Sequence, residues 1–150
     1  MSILHYVAGV LEAIAPPLAS LATRLLANAR ITDPEDNDVV PVGKISVSGT
    51  YRCECGFSFV LLHHYQNNYW PQGSPDLDRT RHKWKKDVHI GPPVGDKHFV
   101  SIAVITKNAL PLFKYYYQVG ESTHQWNPIF LPKLPNGLII LHTIRVQPEA

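Results

Sequence analysis

The strongest constraint on the fold is a series of short segments in which apolar and polar residues alternate. Such alternation is typical of β-strands, because successive side chains point to opposite faces of a sheet. In one segment Trp84, Val88 and Ile90 share a face. The segments are Lys44–Thr50, Phe57–Tyr65, His82–Ile90, Phe99–Ile105 and Leu138–Val146, and turn-forming residues separate them. Phe99–Ile105 is apolar on both sides, as a covered central strand would be. Several short strands with an inward tryptophan predict a mainly β fold of the β-sandwich type.

One segment has helical spacing instead. Leu112, Phe113, Tyr116 and Tyr117 recur at intervals of three and four residues, and Gly120 follows as a typical C-cap. We therefore expect a single helix over residues 109–119 that crosses the sandwich before the last strand. An aromatic-rich strand is the alternative.

Composition agrees with this class. Thirteen prolines in 150 residues exclude an architecture of long helices, and two cysteines exclude a disulfide-rich scaffold. Charged residues make up 17% of the chain, below the roughly 25% of average domains, which argues against disorder. A net charge of +2 gives no strong field, so we predict no specific nucleic-acid partner.

The first thirty residues differ from the rest, since they are apolar and nearly uncharged. They predict two helical pieces, about 3–15 and 17–29, kinked at Pro16-Pro17. Each piece is too short to cross a membrane alone, whereas the two together are long enough if the kink is tolerated. Packing or self-assembly, membrane insertion and a cleaved signal peptide are the alternatives. The apolar faces contain Leu4, Val7, Leu11, Ile14, Leu18, Leu21 and Leu25.

The predicted organisation has three parts. Residues 1–30 form the helical segment, residues 31–43 form an acidic linker with four acids and no periodicity, and residues 44–150 form the sandwich domain.

A set of motifs between residues 44 and 146 suggests a family. In order they are Val47-Ser48-Gly49-Thr50, Tyr69-Trp70-Pro71-Gln72-Gly73, Trp84 to Gly91, Gly95 to Phe99 and Leu134 to Val146. Together they resemble an immunoglobulin-like accessory module of multidomain bacterial proteins. The resemblance implies a β-sandwich and supplies no catalytic residues. The sequence departs from that pattern at Arg52-Cys53-Glu54-Cys55, where a polar turn is expected, and in the N-terminal segment.

Cys53 and Cys55 suggest a metal site, because residues two apart on a strand point to one face. Zinc would need further ligands, for which His63 is a candidate. The spacing is shorter than in common zinc motifs, so two ordinary thiols and a strained disulfide are the alternatives. We expect no other cofactor.

A basic run precedes and enters the third strand. Arg79, Arg81, Lys83 and Lys85 are predicted anion contacts, for phosphate groups or anionic lipid. Lysines that protect the edge of a sheet are the alternative explanation.

Aromatic and histidine residues supply two further candidate surfaces. Tyr65, Tyr69, Trp70, Trp126 and the tyrosines at 115–117 suggest a carbohydrate or partner surface, with core packing as the alternative. The histidines His63, His89 and His142 lie on predicted strands, where a shared face would form a site.

No motif of a nucleophilic, phosphate-binding or dinucleotide-binding enzyme is present. The sequence therefore predicts a non-catalytic protein that recognises a protein partner through its sandwich and self-assembles or associates with a membrane through residues 3–29. It would be cytoplasmic or membrane-associated, and a homo-oligomer. The alternatives are a small effector that permeabilises membranes when triggered through its sandwich, and a metal-binding protein that uses Cys53 and Cys55.

Overall fold

A computed structural model describes residues 23–54, 57–126 and 129–150. Within these ranges the chain is mainly β, as predicted, with two sheets and one long helix. Residues 23–26 are also helical. In chain order the elements are β1 (Ala27–Asp33), β2 (Asp38–Pro41), β3 (Gly43–Cys53), β4 (Ser58–Tyr65), β5 (Asn68–Gly73), β6 (Asp76–Asp78), β7 (Lys83–Ile90), β8 (His98–Ile105), α1 (Leu110–Thr123) and β9 (Leu138–Glu149).

Two sheets stack face to face. The four-stranded sheet has the order β1-β3-β7-β6, and the five-stranded sheet has the order β2-β9-β8-β4-β5. Neighbouring strands are antiparallel except for β2 and β9, which are parallel. The main core lies between the sheets, where Trp84 is 2% exposed and its indole donates to the Thr50 carbonyl at 3.1 Å. The inward tryptophan of the sequence prediction is therefore confirmed.

A second, smaller core covers the outer face of the five-stranded sheet. Val60 and Leu62 of β4 pack there with Phe113 of α1, while Phe59 and Leu61 face the main core. Both faces of β4 and β8 are thus buried, which explains why the segment that became β8 is apolar on both sides. The prediction of a covered central strand is confirmed.

The helix prediction needs one correction. α1 extends to Thr123, and its C-cap is His124 in the left-handed conformation, with φ 53°. Gly120 is an interior helical residue, and Trp126 packs against its α-carbon so closely that a methyl group would overlap the indole ring. The glycine provides room for an aromatic ring rather than ending the helix.

The predicted boundary of the N-terminal helix is also wrong. The structure has a strand from Ala27, whereas the sequence analysis continued the helix to residue 29. Ala27, Ala29 and Ile31 alternate with exposed residues and enter the main core. Alanine makes the pattern ambiguous. Its high helix propensity favours a helix even where buried and exposed positions alternate as in a strand. The rest of the predicted helical segment, residues 1–22 with Pro16-Pro17, lies outside the described residues.

Residues 31–43, predicted to be a linker, belong instead to the sandwich. β1 pairs with β3, and β2 pairs with β9. Asp36 forms an ion pair with Arg145 at 2.7 Å and also accepts the Arg145 backbone N–H at 2.8 Å. These hydrogen bonds from Arg145 lower the pKa of Asp36 to about 2. Asp36 therefore attaches this segment to β9.

Candidate functional site

The two sheets separate along one edge and leave an open cleft. β6 pairs only with residues 83–85 of β7, so the rest of β7 faces the edge strand β5 of the other sheet without a strand between them. The cleft has a volume of about 1050 Å³. Its lining consists of His63, Trp70, Pro71, Gln72, Gly73, Lys86, His89, Gly91, Pro92, Tyr116, Tyr117, His124, Gln125 and Trp126.

Gln72 links the two sheets at the cleft. Its side-chain oxygen accepts the His89 backbone N–H at 2.8 Å. A glutamine side chain thus supplies the acceptor that a neighbouring strand would otherwise provide to β7. The bond fixes the spacing between β5 and β7, and with it the width of the cleft.

Two histidines form a hydrogen-bond chain behind the cleft. His98 Nε2 lies 2.9 Å from the Pro93 carbonyl oxygen, which can only accept, so this nitrogen carries the His98 proton. With one proton on each ring, His98 Nδ1 accepts from His63 Nε2 at 2.8 Å. The two rings are inclined by only 10°, which directs the N–H toward the acceptor lone pair. The chain therefore fixes the tautomer of both histidines.

His63 consequently offers one remaining ring atom, Nδ1, as a hydrogen-bond acceptor. No group in the described part of the chain donates to it. Burial, with a smaller contribution from neighbouring histidines, lowers the pKa of His63 to about 3. The ring is thus neutral at physiological pH and keeps its free lone pair.

Aromatic side chains form the walls of the cleft. The Trp70 ring stacks on His63, with centroids 5.3 Å apart. On the other side, Trp126 is 40% exposed and contacts Tyr116, which meets Tyr117 edge to face. The proximity of α1 to the open sheet edge brings these distant residues together.

The charge in the cleft is positive. Lys86 occupies an inward position on β7, between Trp84 and Val88, yet it is only half-buried because it lies where the sheets part. It makes no ion pair among the described residues, and none of the described lining residues is acidic.

The Tyr117 hydroxyl is a second unsatisfied group. It is buried and has no partner at good hydrogen-bond geometry in the described residues. Burial raises the pKa of Tyr117 to about 12, and the nearby Gly73 N–H opposes part of this rise. The O–H proton is therefore held on the oxygen and has no acceptor.

The predicted metal ligands are not brought together in what the structure describes. Cys53 is a free, half-buried cysteine at the end of β3, and Cys55 lies outside the described residues. Ser58 is the first residue of β4, the strand that follows the two cysteines. His63 lies five residues further along that strand, roughly 17 Å from Ser58 at the usual strand rise, and it is engaged with His98. Residues 23–54, 57–126 and 129–150 contain no group of three metal-ligating side chains.

The predicted anion contacts lie on an exposed turn and strand. Lys83 and Lys85 are exposed, but they pair in register with Asp78 and Asp76 of β6. Asp78 also lies within 4.0 Å of Arg81. Arg79 is exposed on the same turn. Acids directly opposite the lysines reduce the field of this run, and the anion contact stays a prediction.

Only some of the predicted aromatic residues meet at the cleft. Trp70, Tyr116, Tyr117 and Trp126 converge at the cleft, whereas Tyr65 donates to Asp96 at 2.6 Å. Tyr69 stacks on His64, and Tyr115 is exposed.

Of the three strand histidines, two reach the cleft. His63 and His89 line it, while His142 accepts the Ile31 backbone N–H at 2.9 Å elsewhere. The sequence analysis missed Lys86, although a lysine between two inward apolar residues on one strand was a detectable signal. His98 was missed as well, and the sequence contains no signal that would have identified it.

No protein-family model matches the chain, and no curated protein matches it significantly. The assignment of function therefore depends on the cleft itself.

Proposed function

We propose that the protein is a non-catalytic recognition module, and that its ligand binds in the cleft between β5, β7 and α1. The observation that carries this proposal is the convergence of Trp70, Trp126 and Lys86 where the sandwich is open. Concave sites with aromatic walls and a few fixed polar groups are the usual form of ligand sites. We further propose that the sandwich is an immunoglobulin-like module, on the basis of its two stacked sheets and inward Trp84.

The chemistry of His63 favours binding over catalysis. A general base works best when its pKa lies near the working pH, and the pKa of His63 is about 3. Its Nε2 proton is committed to His98, and the resulting chain ends at a backbone carbonyl. Such an arrangement holds a fixed acceptor and does not exchange protons with a substrate at neutral pH.

The roles predicted for the N-terminal segment stay proposals. Self-assembly, membrane association and the effector alternative all depend on residues 1–22, outside the described part of the chain. Leu25 is 65% exposed, which leaves an apolar side chain for contact with a further segment or copy. Among the described residues no helix has the length and apolar character needed to cross a membrane.

The three tryptophans provide a direct test of cleft binding. Two of them, Trp70 and Trp126, line the cleft, whereas the indole of Trp84 is held in the core by Thr50. Indole N–H signals of the full chain should be followed by NMR, and assigned with single Trp→Phe variants. The ligands are panels of acidic, neutral and basic sugars, nucleotides and short peptides.

We expect at least one class to shift the Trp70 or Trp126 signal while that of Trp84 stays unchanged. Trp126→Ala should weaken this binding, and the unchanged Trp84 signal of the variant would demonstrate an intact core. The proposal is refuted if no class shifts either cleft signal, or if all three signals move together.

A further inference from the structure

The identity of the ligand can be narrowed, on the premise that the cleft is a binding site as proposed above. Three features constrain it: the isolated lysine, the free acceptor atom of His63, and the aromatic walls.

The charge of Lys86 favours a ligand with one negative charge nearby. Its ammonium lies over Gly73, where an added Cβ would come within 3.2 Å of Nζ. The half-buried position and the lack of an acidic partner among the described residues leave this charge available to a ligand. A single lysine with no arginine in the described lining matches one carboxylate better than a polyphosphate, which usually binds several cations or a helix N-terminus.

The free ring atom of His63 requires a ligand group that carries a proton. His63 Nδ1 is a fixed acceptor, so it needs a donor from the ligand. An ionised carboxylate or phosphate oxygen could not satisfy it, since ionised groups only accept. A hydroxyl group can satisfy it, because it donates as well as accepts.

The aromatic walls and the volume of the cleft favour a ligand that contains several rings. Trp126 keeps 40% of its surface exposed at the cleft, next to Tyr116 and Tyr117. A cleft of about 1050 Å³ is at the upper limit of pockets for drug-sized ligands, roughly 300–1,000 Å³. The space therefore suits several linked rings rather than one.

From these constraints we infer that the cleft binds an acidic oligosaccharide, with a sugar carboxylate at Lys86, a ring hydroxyl at His63, and ring faces against Trp126. Sugar acids combine one negative charge per ring with several hydroxyl groups. Peptides with acidic side chains share the charge but present few hydroxyls, and nucleotides carry their charge as phosphate.

The experiment uses pairs of probes that differ only in charge. Oligomers of galacturonate, mannuronate, guluronate and hyaluronan are titrated into the full chain by calorimetry, each beside its methyl ester. We expect at least one acid to bind at least tenfold more tightly than its ester. Added salt should reduce that ratio, because the charge contribution is partly screened.

Two lysine variants locate the charge. Lys86→Met should reduce the ratio of acid to ester affinity to near one, while Lys85→Met, on the outer face beside it, should leave the ratio unchanged. The Trp84 indole signal reports whether each variant is folded.

The inference is overturned if no acidic oligosaccharide binds, if acid and ester bind equally, or if Lys86→Met preserves the ratio. The ligand panel separates this failure from that of the proposed function. If another class shifts the Trp70 or Trp126 signals, the cleft is a binding site for that class and only the sugar assignment is wrong. If no class does so, both proposals fail.

Discussion

Mild acid should destabilise this protein through His63. The imidazole is 5% exposed, and burial lowers its pKa from 6.5 to about 3. The unfolded chain, with its ordinary pKa, therefore binds a proton at pH 5, whereas the folded chain does not. The contribution of His63 to the free energy of unfolding is fully present above pH 6.5 and is lost as the pH falls toward 3.

The size of the effect follows from the two pKa values. Each pH unit in this window costs about 1.4 kcal/mol, because protons bind to the unfolded state alone. Between pH 7.5 and pH 5 the loss is about 2 kcal/mol, and at pH 3 it is about 4 kcal/mol. A typical domain has only about 5–15 kcal/mol of stability, so the change is readily measured. His142, whose pKa burial also lowers, adds a loss of the same sign.

Urea unfolding at pH 7.5 and pH 5.0, followed by tryptophan fluorescence, measures this loss. His63→Gln keeps a donor for His98 but does not titrate, so about 2 kcal/mol of the pH dependence should disappear. The control is His82→Asn at an exposed position with φ 55°, a conformation that asparagine tolerates. If His63→Gln loses as much stability on acidification as the unmodified protein, His63 is not the buried neutral group described here.

Three further substitutions test the packing. Gly49→Ala should cost about 1–3 kcal/mol in urea unfolding, because the methyl would overlap the β1 backbone; Gly91→Ala, with no atom within 4 Å of the methyl, should cost much less. Gly120→Ala should displace Trp126 and shift its indole NMR signal while helix content by circular dichroism is kept; an unmoved signal would contradict the close contact. Leu62→Ala should cost about 2–5 kcal/mol in chemical unfolding, since Leu62 is fully buried beneath α1; a loss under 1 kcal/mol would mean that the helix does not cover this face.

Local periodicity in the sequence was sufficient to predict most strands. The alternation around Trp84 predicted which face of β7 is buried, and the apolar run of β8 predicted a strand covered on both sides. The aromatic spacing of residues 112–117 predicted α1. In each case the pattern has the period of the element that forms, because burial of one face selects residues at that period.

Local periodicity failed where neighbours in space decide the structure. Ala27–Asp33 became a strand because β3 offers a partner edge, and no feature of these residues alone distinguishes that outcome from a helix. The acidic segment after it joined the sandwich because β2 pairs with β9, where Arg145, more than a hundred residues later, also binds Asp36. Gly120 stayed inside a helix because Trp126 folds back onto it.

The candidate site was predicted only in its parts. The sequence alone determined that tryptophans, tyrosines and histidines were available on strands and a helix. Only the tertiary structure decided that Trp70, Lys86 and Tyr117 meet at one cleft, and that His63 pairs with His98. The physical reason is that a strand's own residues set its faces, whereas the stacking of two sheets and the register between them set which faces meet.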